Sequence, residues 1–268
     1  MRILPAVIAA LSVMAPASAQ LVAPNELGVA MGHVHLNVSD VESHRQLWIE
    51  HFDAVPLDRN GLTGVKIPGM LLLFRQQDAT GPSEGTVVDH FGLKVRSLEE
   101  VLQRWRAAGR EVQREFTGAA GFPNAYILAP DGVKIELQQD VGQPEIATAH
   151  HLHYFNADYL EVRAWYVEMF SAILGNRGQV DTADLPGINL SFGTNRRSSA
   201  VPVGTEGRTI DHIGFEVRNL KAFCEQLEAK GIEFDRPYRE NAEIGVSTAF
   251  FTDPFGAYVE LTEGLRQY

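Results

Sequence analysis

A strand–helix–strand–strand–strand order, repeated four times, predicts an α+β protein whose sheets carry helices on one face. Three observations predict it. Short strand-like runs with a histidine at an equivalent place recur at Met31–Asp40 (MGHVHLNVSD), Val88–Val95 (VDHFGLKV), Ala149–Asp158 (AHHLHYFNAD) and Ile210–Val217 (IDHIGFEV). Each is followed at once by a helix-like run. The spacing also repeats: His33 and His151 lie 118 positions apart, His90 and His212 lie 122 apart. The chain therefore reads as two halves, each of two modules.

In the first module Asp40 is placed to cap a helix with Val41, His44, Leu47, Trp48 and Phe52 near one face. Pro56 and Asn60-Gly61 then punctuate short strands ending at Met70–Phe74. The second module has a capping box, Ser97 with Glu100, ahead of the stripe Leu98, Val101, Leu102 and Trp105, and Gly109 stops the helix. Strands near Glu111–Phe116, Ala125–Ala129 and Val133–Gln138 complete it. The polar segment QQDVGQPE (138–145) reads as an interdomain linker. A third module repeats the plan with a helix over Tyr159–Ser171, and Asn195–Ser199 is another polar joint. In the fourth, Asn219 caps a helix over Leu220–Lys230 and Gly231 closes it. The expected domains are 26–141 and 146–265.

Residues 1–19 read as a signal peptide: Arg2, the apolar run Ile3–Ala15, and the cleavage site Ala17-Ser18-Ala19. That run is too short to span a bilayer, so the mature chain is expected in the periplasm or secreted, with no membrane partner after cleavage. A net charge of −11 argues against nucleic acid as a partner, which needs a basic patch. The lone Cys224 lies on the apolar side of its helix and reads as a small buried hydrophobe, with no disulfide possible within one chain. Oligomeric state leaves no mark in the sequence.

Seven of the nine histidines (33, 35, 90, 150, 151, 153 and 212) fall in the four short runs. Alternation along a strand separates Ile213, Phe215 and Val217, facing the helix, from His212, Gly214 and Glu216 on the other face. Phe91, Leu93 and Val95 oppose His90, Gly92 and Lys94 in the same way. His33 shares a face with His35, and His151 with His153, while His150 is expected on the opposite face. The second and fourth modules both end in a Pro-x-Gly turn, Ala129–Gly132 and Asp253–Gly256, of the composition a type I turn favours. Four residues after each Gly comes a glutamate inside a strand, Glu136 and Glu260, facing the histidine side. A buried carboxylate is costly unless paired or on a metal. Two imidazoles and one carboxylate on one wall form a metal-ligand set, so the expected trios are His33/His90/Glu136 and His151/His212/Glu260.

On these residues the chain resembles the vicinal oxygen chelate superfamily, which includes glyoxalase I, extradiol ring-cleaving dioxygenases and bleomycin-resistance proteins. The resemblance implies four βαβββ modules, two per glyoxalase/dioxygenase-like domain, each domain curving a mixed sheet around its site, and it implies the same six ligands. It also implies a small-molecule substrate chelated by a divalent metal. Glyoxalase I-like members take a fourth, glutamate ligand from the last strand of the first module, but here that strand is MLLLF (70–74) in one half and INLSF (188–192) in the other. Three ligands leave the open positions that non-haem Fe(II) oxygenases use, so dioxygenase-like chemistry is expected ahead of lyase or isomerase chemistry. Fe(II) or Mn(II) is expected ahead of Zn(II) or Ni(II). The dioxygenases carry a tyrosine ten residues before the glutamate, a place Tyr126 fills in the first half and Phe250 in the second. His35 and His153, two residues beyond a ligand on the same strand, are placed for acid–base work. The alternative reading is a binding protein that sequesters a small molecule without chemistry.

Overall fold

The computed structural model describes residues 21–195 and 198–268; the signal peptide expected over 1–19 lies outside them. The first module contains β1 (Val29–Val38), α1 (Val41–Phe52), β2 (Val55–Arg59), β3 (Leu62–Ile67) and β4 (Met70–Gln76). The second contains β5 (Val88–Val95), α2 (Leu98–Ala107), β6 (Val112–Thr117), β7 (Pro123–Ala129) and β8 (Val133–Gln139). The third contains β9 (Ala147–Phe155), α3 (Tyr159–Phe170), β10 (Ile173–Arg177), β11 (Val180–Leu185) and β12 (Ile188–Gly193). The fourth contains β13 (Ile210–Val217), α4 (Leu220–Ala229), β14 (Arg236–Asn241), β15 (Val246–Thr252) and β16 (Tyr258–Glu263). The helix starts follow the sequence: the side chains of Asp40, Ser97 and Asn219 accept from the backbone N–H groups of Ser43, Glu100 and Ala222. None of these helices is long and apolar enough to cross a membrane.

Two eight-stranded mixed sheets result, in the orders β14-β15-β16-β13-β1-β4-β3-β2 and β10-β11-β12-β9-β5-β8-β7-β6. The first sheet joins modules one and four, the second joins modules two and three. This corrects the expectation that each half would curve its own sheet. The segment read as an interdomain linker keeps β8 and β9 in one sheet, two strands apart. The chain changes sheets instead after β4 and after β12. The two crossing segments hold each other: Thr86 bridges Val203 in parallel, Val87 N–H donates to the Val203 carbonyl, and Thr80 N–H donates to that of Gly207.

Helix-side aromatic contacts, by contrast, gather within each half. Trp48 of α1 lies 5.8 Å, ring to ring, from Phe91 of β5, and His51 lies 4.9 Å from Trp105 of α2. In the other half Phe170 of α3 lies 4.9 Å from Phe215 of β13 and 6.0 Å from Phe223 of α4. Helices thus bind module one to two and three to four, while backbone pairing binds one to four and two to three. All four modules share one continuous apolar cluster, in which Cys224 is buried as expected.

The Pro-x-Gly turns differ in detail. Asp131 (φ 60°, ψ 10°) and Gly132 (φ 79°) both have positive φ and Val133 N–H donates to the Pro130 carbonyl, so the hairpin turns over Pro130–Val133 in the manner of a type I′ rather than a type I turn. The Asp131 carboxylate offsets the strain by accepting from Ser39 N–H at 3.0 Å and meeting His44 Nε2 at 3.1 Å, a tie between modules one and two.

Candidate metal centres

The strand alternation read from the sequence brings all eight site-facing side chains to the inner faces, opposite the helices. They converge in two groups, His33/His35/His212/Glu260 and His90/His151/His153/Glu136, with one ligand atom from each residue within 4.8 Å of all the others in its group. The six expected ligands are all present, but the trios are regrouped. Because β1 pairs with β13 and β5 with β9, His33 meets His212 and Glu260, and His151 meets His90 and Glu136.

In the first centre one carboxylate oxygen, Glu260 Oε2, stands 2.8 Å from His33 Nε2 and 2.9 Å from His212 Nε2. In the second, Glu136 Oε2 stands 3.1 Å from His90 Nε2 and 3.5 Å from His151 Nε2. Glu136 also accepts from Asn124 Nδ2 at 2.5 Å. Burial alone would raise both glutamates, but imidazole neighbours outweigh it: hydrogen bonds from His212 and His33 hold Glu260 below the usual carboxylate range, and those from His151 and His90 do the same for Glu136. Both are anions at neutral pH.

Two supporting features escape the sequence reading. The first is an aspartate directly before the histidine of β5 and β13, the DH pair of both runs. Asp89 Oδ1 lies 2.7 Å from His90 Nδ1, and Asp211 Oδ1 lies 2.6 Å from His212 Nδ1. Such a carboxylate fixes the tautomer that leaves Nε2 free to ligate. The aspartates are themselves held, Asp89 by Lys134 and Gly85 N–H, Asp211 by Asn37 and Gly207 N–H.

The second is a glycine two residues after the same histidine. His33 pairs across the sheet with Gly214, and His151 with Gly92. A Cβ on Gly214 would stand 2.0 Å from His33 Cε1, and one on Gly92 would stand 2.0 Å from His151 Cε1. These glycines clear the volume in which a ligand imidazole lies.

A third difference comes from the backbone. The pairing of β5 with β9 shifts register between Gly92–His151 and Leu93–Ala149, leaving His150 in a bulge. The bulge turns His150 toward His151, Nδ1 to Nδ1 at 3.0 Å, rather than to the opposite face expected from strict alternation. In β1 the corresponding shift falls at Gly32, so His33 Nδ1 has no such neighbour.

His35 and His153 stand inside the ligand groups rather than beside them. His35 lies 4.5 Å, ring to ring, from His212, and His153 lies 4.9 Å from His90. Burial, with the neighbouring imidazole second, drives the His153 pKa down to about 3 and that of His35 well below its usual value. Both nitrogens of His35 are buried without a partner, as are His33 Nδ1 and His153 Nδ1. Buried polar atoms are rarely left unpaired without a reason. Neutral, unpaired imidazole nitrogens around one anionic carboxylate suit a divalent cation, so the residues present fit a metal in both groups.

Tyr126 lies at the second centre, its ring 5.1 Å from that of His90 and its backbone paired with Glu136. Burial and the Glu136 charge push its hydroxyl pKa up, so the hydroxyl keeps its proton at neutral pH. Phe250 takes the equivalent place, 5.4 Å from His212.

Around these centres the two sheets differ. The inner face of the second is polar, and Arg177 of β10 donates from Nη1 to Gln138 Oε1 on β8 at 3.3 Å and from Nη2 to Ser191 Oγ on β12 at 3.1 Å. β10 and β8 are five strands apart in the sheet order. At roughly 4.8 Å per strand a flat sheet would separate them by more than 20 Å, so this one curls round its centre. The first sheet is lined by Leu57, Leu71, Leu73 and Val246, on which Leu265 of the C-terminal segment packs. Glu216, buried on β13, anchors that segment by accepting from the N–H groups of Gly264, Leu265 and Arg266 and from the Thr262 hydroxyl.

This two-domain fold is that of glyoxalase I. Glyoxalase I from Zea mays superposes with a TM-score of 0.67 at 17% identity, covering 89% of this chain and 94% of that one. A point mutant of the same maize enzyme gives 0.68 at 16%, covering 90% and 95%. A dioxygenase candidate from Bacillus subtilis gives 0.62 at 12%, covering 87% and 85%. A comparison with curated proteins by sequence finds no match. Residues 148–261 match the model of the family described as "Glyoxalase/Bleomycin resistance protein/Dioxygenase superfamily".

Proposed function

We propose that the protein is a divalent-metal-dependent enzyme acting on a small molecule that offers the metal two adjacent oxygens. The observation that carries this reading is the convergence of three imidazoles and one carboxylate in each of two buried groups, with imidazole nitrogens unpaired. Four protein donors leave two positions of an octahedron for a pair of vicinal oxygens. The expectation of dioxygenase chemistry rested on three ligands, and His35 and His153 remove that ground. Lewis-acid chemistry of the lyase or isomerase type is therefore the leading reading. The similarity to glyoxalase I supports the scaffold for it.

The bound cation would polarise the substrate oxygens. Asp211 and Asp89 hold His212 and His90 with Nε2 directed inward, Gly214 and Gly92 admit the facing imidazoles, and Tyr126 supplies a proton-bearing hydroxyl at the second centre. The leader expected over 1–19 supports export, where an enzyme dependent on cytosolic glutathione would lack its thiol, so the substrate is proposed to be another small oxygen-bearing molecule. Metal analysis of the purified mature protein tests the reading. About two divalent ions per chain are expected, falling to about one in Glu260→Gln and in Glu136→Gln. A chain that takes up no divalent ion would leave a binding protein as the reading.

A further inference from the structure

The first centre has a cavity of about 220 Å³ against its His212, lined also by Arg75, Arg236, Glu206, Phe250 and Tyr258. Its size is roughly seven water volumes, enough for a small organic molecule and too little for a peptide. Its walls are chemically unequal. Phe250 and Tyr258 stack at 5.5 Å and both approach the His212 ring, at 5.4 and 5.8 Å, so a flat apolar wall runs up to a metal ligand. Two arginines share the lining. The Arg236 guanidinium lies over the Phe250 ring, 5.1 Å from its centroid, and Arg75 extends from the end of β4 beside Asn37 of β1.

Neither arginine has a carboxylate within ion-pair distance among the described residues, whereas Arg45, Arg106 and Arg163 each do. Both arginines are exposed, and what sets them apart is that two cations converge on one cavity in a chain of net charge −11, where acidic side chains outnumber basic ones. Glu206 is the one acidic residue of the lining that is exposed, and Asp211 is already engaged by His212, Asn37 and Gly207. The second centre lacks the pair. Strand register places Gly193 where Arg75 stands, since Gly193 pairs with Phe155 as Arg75 pairs with Asn37.

Resting on the metal reading above, we infer that the first centre takes a small planar carboxylate. Its acid group is held by Arg75 and Arg236, its body lies against Phe250, and its oxygens point toward His212. A planar guanidinium fork matches a carboxylate in geometry as well as charge, which gives the arginines discrimination between an acid and its neutral analogue.

The test compares 3,4-dihydroxybenzoate with catechol, which presents the same vicinal oxygens without the carboxylate, by calorimetric titration of the metal-loaded full chain. The acid is expected to bind roughly tenfold or more tightly than catechol, the worth of one charge-assisted hydrogen bond. Arg75→Ala and Arg236→Ala should each erode that preference while metal content, measured on the same samples, stays unchanged. Arg106→Ala, which removes an exposed helix charge, should leave the preference intact. Equal binding of the two probes, or a preference that survives loss of both arginines, overturns the inference. If the chain holds no metal but the acid is still preferred through Arg75 and Arg236, the metal reading fails and the anion site stands.

Discussion

At the scale of single residues, the centres depend on side chains that never touch the cation. Gly214→Ala would place a methyl group 2.0 Å from His33 Cε1, and Gly92→Ala would do the same to His151. Either imidazole must then leave its place, so each variant is expected to lose the ion of its own centre and about 1–3 kcal/mol of stability. Metal analysis with thermal unfolding checks this; full metal content in both variants would contradict it. Asp211→Asn keeps the shape but removes the charge that fixes the His212 tautomer. A loss of metal affinity of roughly 10–100-fold at the first centre is expected by competition with a chelator, and an unchanged affinity would deny the aspartate that role.

The same residues set the pH response. Burial alone would lower His212 and His90, but bonds to Asp211 with Glu260, and to Asp89 with Glu136, raise them above the usual 6.5. A raised folded-state pKa contributes stability that is full below 6.5 and is lost as pH climbs through the raised value. The depressed Glu260 and Glu136 contribute in the opposite sense, with stability present above 4.5 and lost as pH falls through their lowered values. Seven other histidines act against the raised pair: burial lowers His33, His35, His44, His51, His150, His151 and His153, so each costs stability below 6.5, and the metal-free protein should lose stability as pH falls from about 6.5. Metal must displace the protons of His90 and His212, so the rise in Tm on adding a divalent ion should grow as pH rises above about 6.5. Thermal unfolding with and without metal from about pH 5 to 9 reads both trends, and parallel curves would contradict the account.

At the scale of elements, the strands and helices were legible because their periods differ and their ends carry caps and glycines. The inner faces were legible for the same reason: alternation put His33, His35, His90, His151, His153, His212, Glu136 and Glu260 on one side. What escaped was anything that breaks the period or joins one element to another. The bulge at His150 adds a residue to one strand only, which no single strand announces. Asp89 and Asp211 occupy a position that strict alternation would turn away from the site, yet each bends its carboxylate back to the adjacent imidazole. Helix packing follows the sequence halves, so Trp48→Ala should open a cavity between α1 and β5 and cost about 3–5 kcal/mol. A chemical denaturation midpoint that barely moves would show that this contact does not hold module one to module two.

At the scale of the whole molecule, four similar modules can be paired in more than one way, and the sequence does not choose among them. All four histidine strands look alike, and β1 could match the Gly92 strand as well as the Gly214 strand. In the pairing observed, the segments that carry the chain between sheets clasp each other at Thr86 and Val203. As a result each candidate centre draws on both halves of the chain, and neither half holds a full set of ligands. Helix packing and sheet pairing interlock: pulling the halves apart would leave each pair of helices together but would break both centres. The expected domains, 26–141 and 146–265, therefore share their sites although their helices pack half by half.

The most direct measurement of that claim is the metal content of two double variants. Glu260→Gln with His33→Ala strikes one centre twice and should leave about one divalent ion per chain. Glu136→Gln with His33→Ala strikes both centres and should leave close to none. The reverse outcome, one ion kept by the second pair and none by the first, would mean that each half builds its own site and would contradict the account.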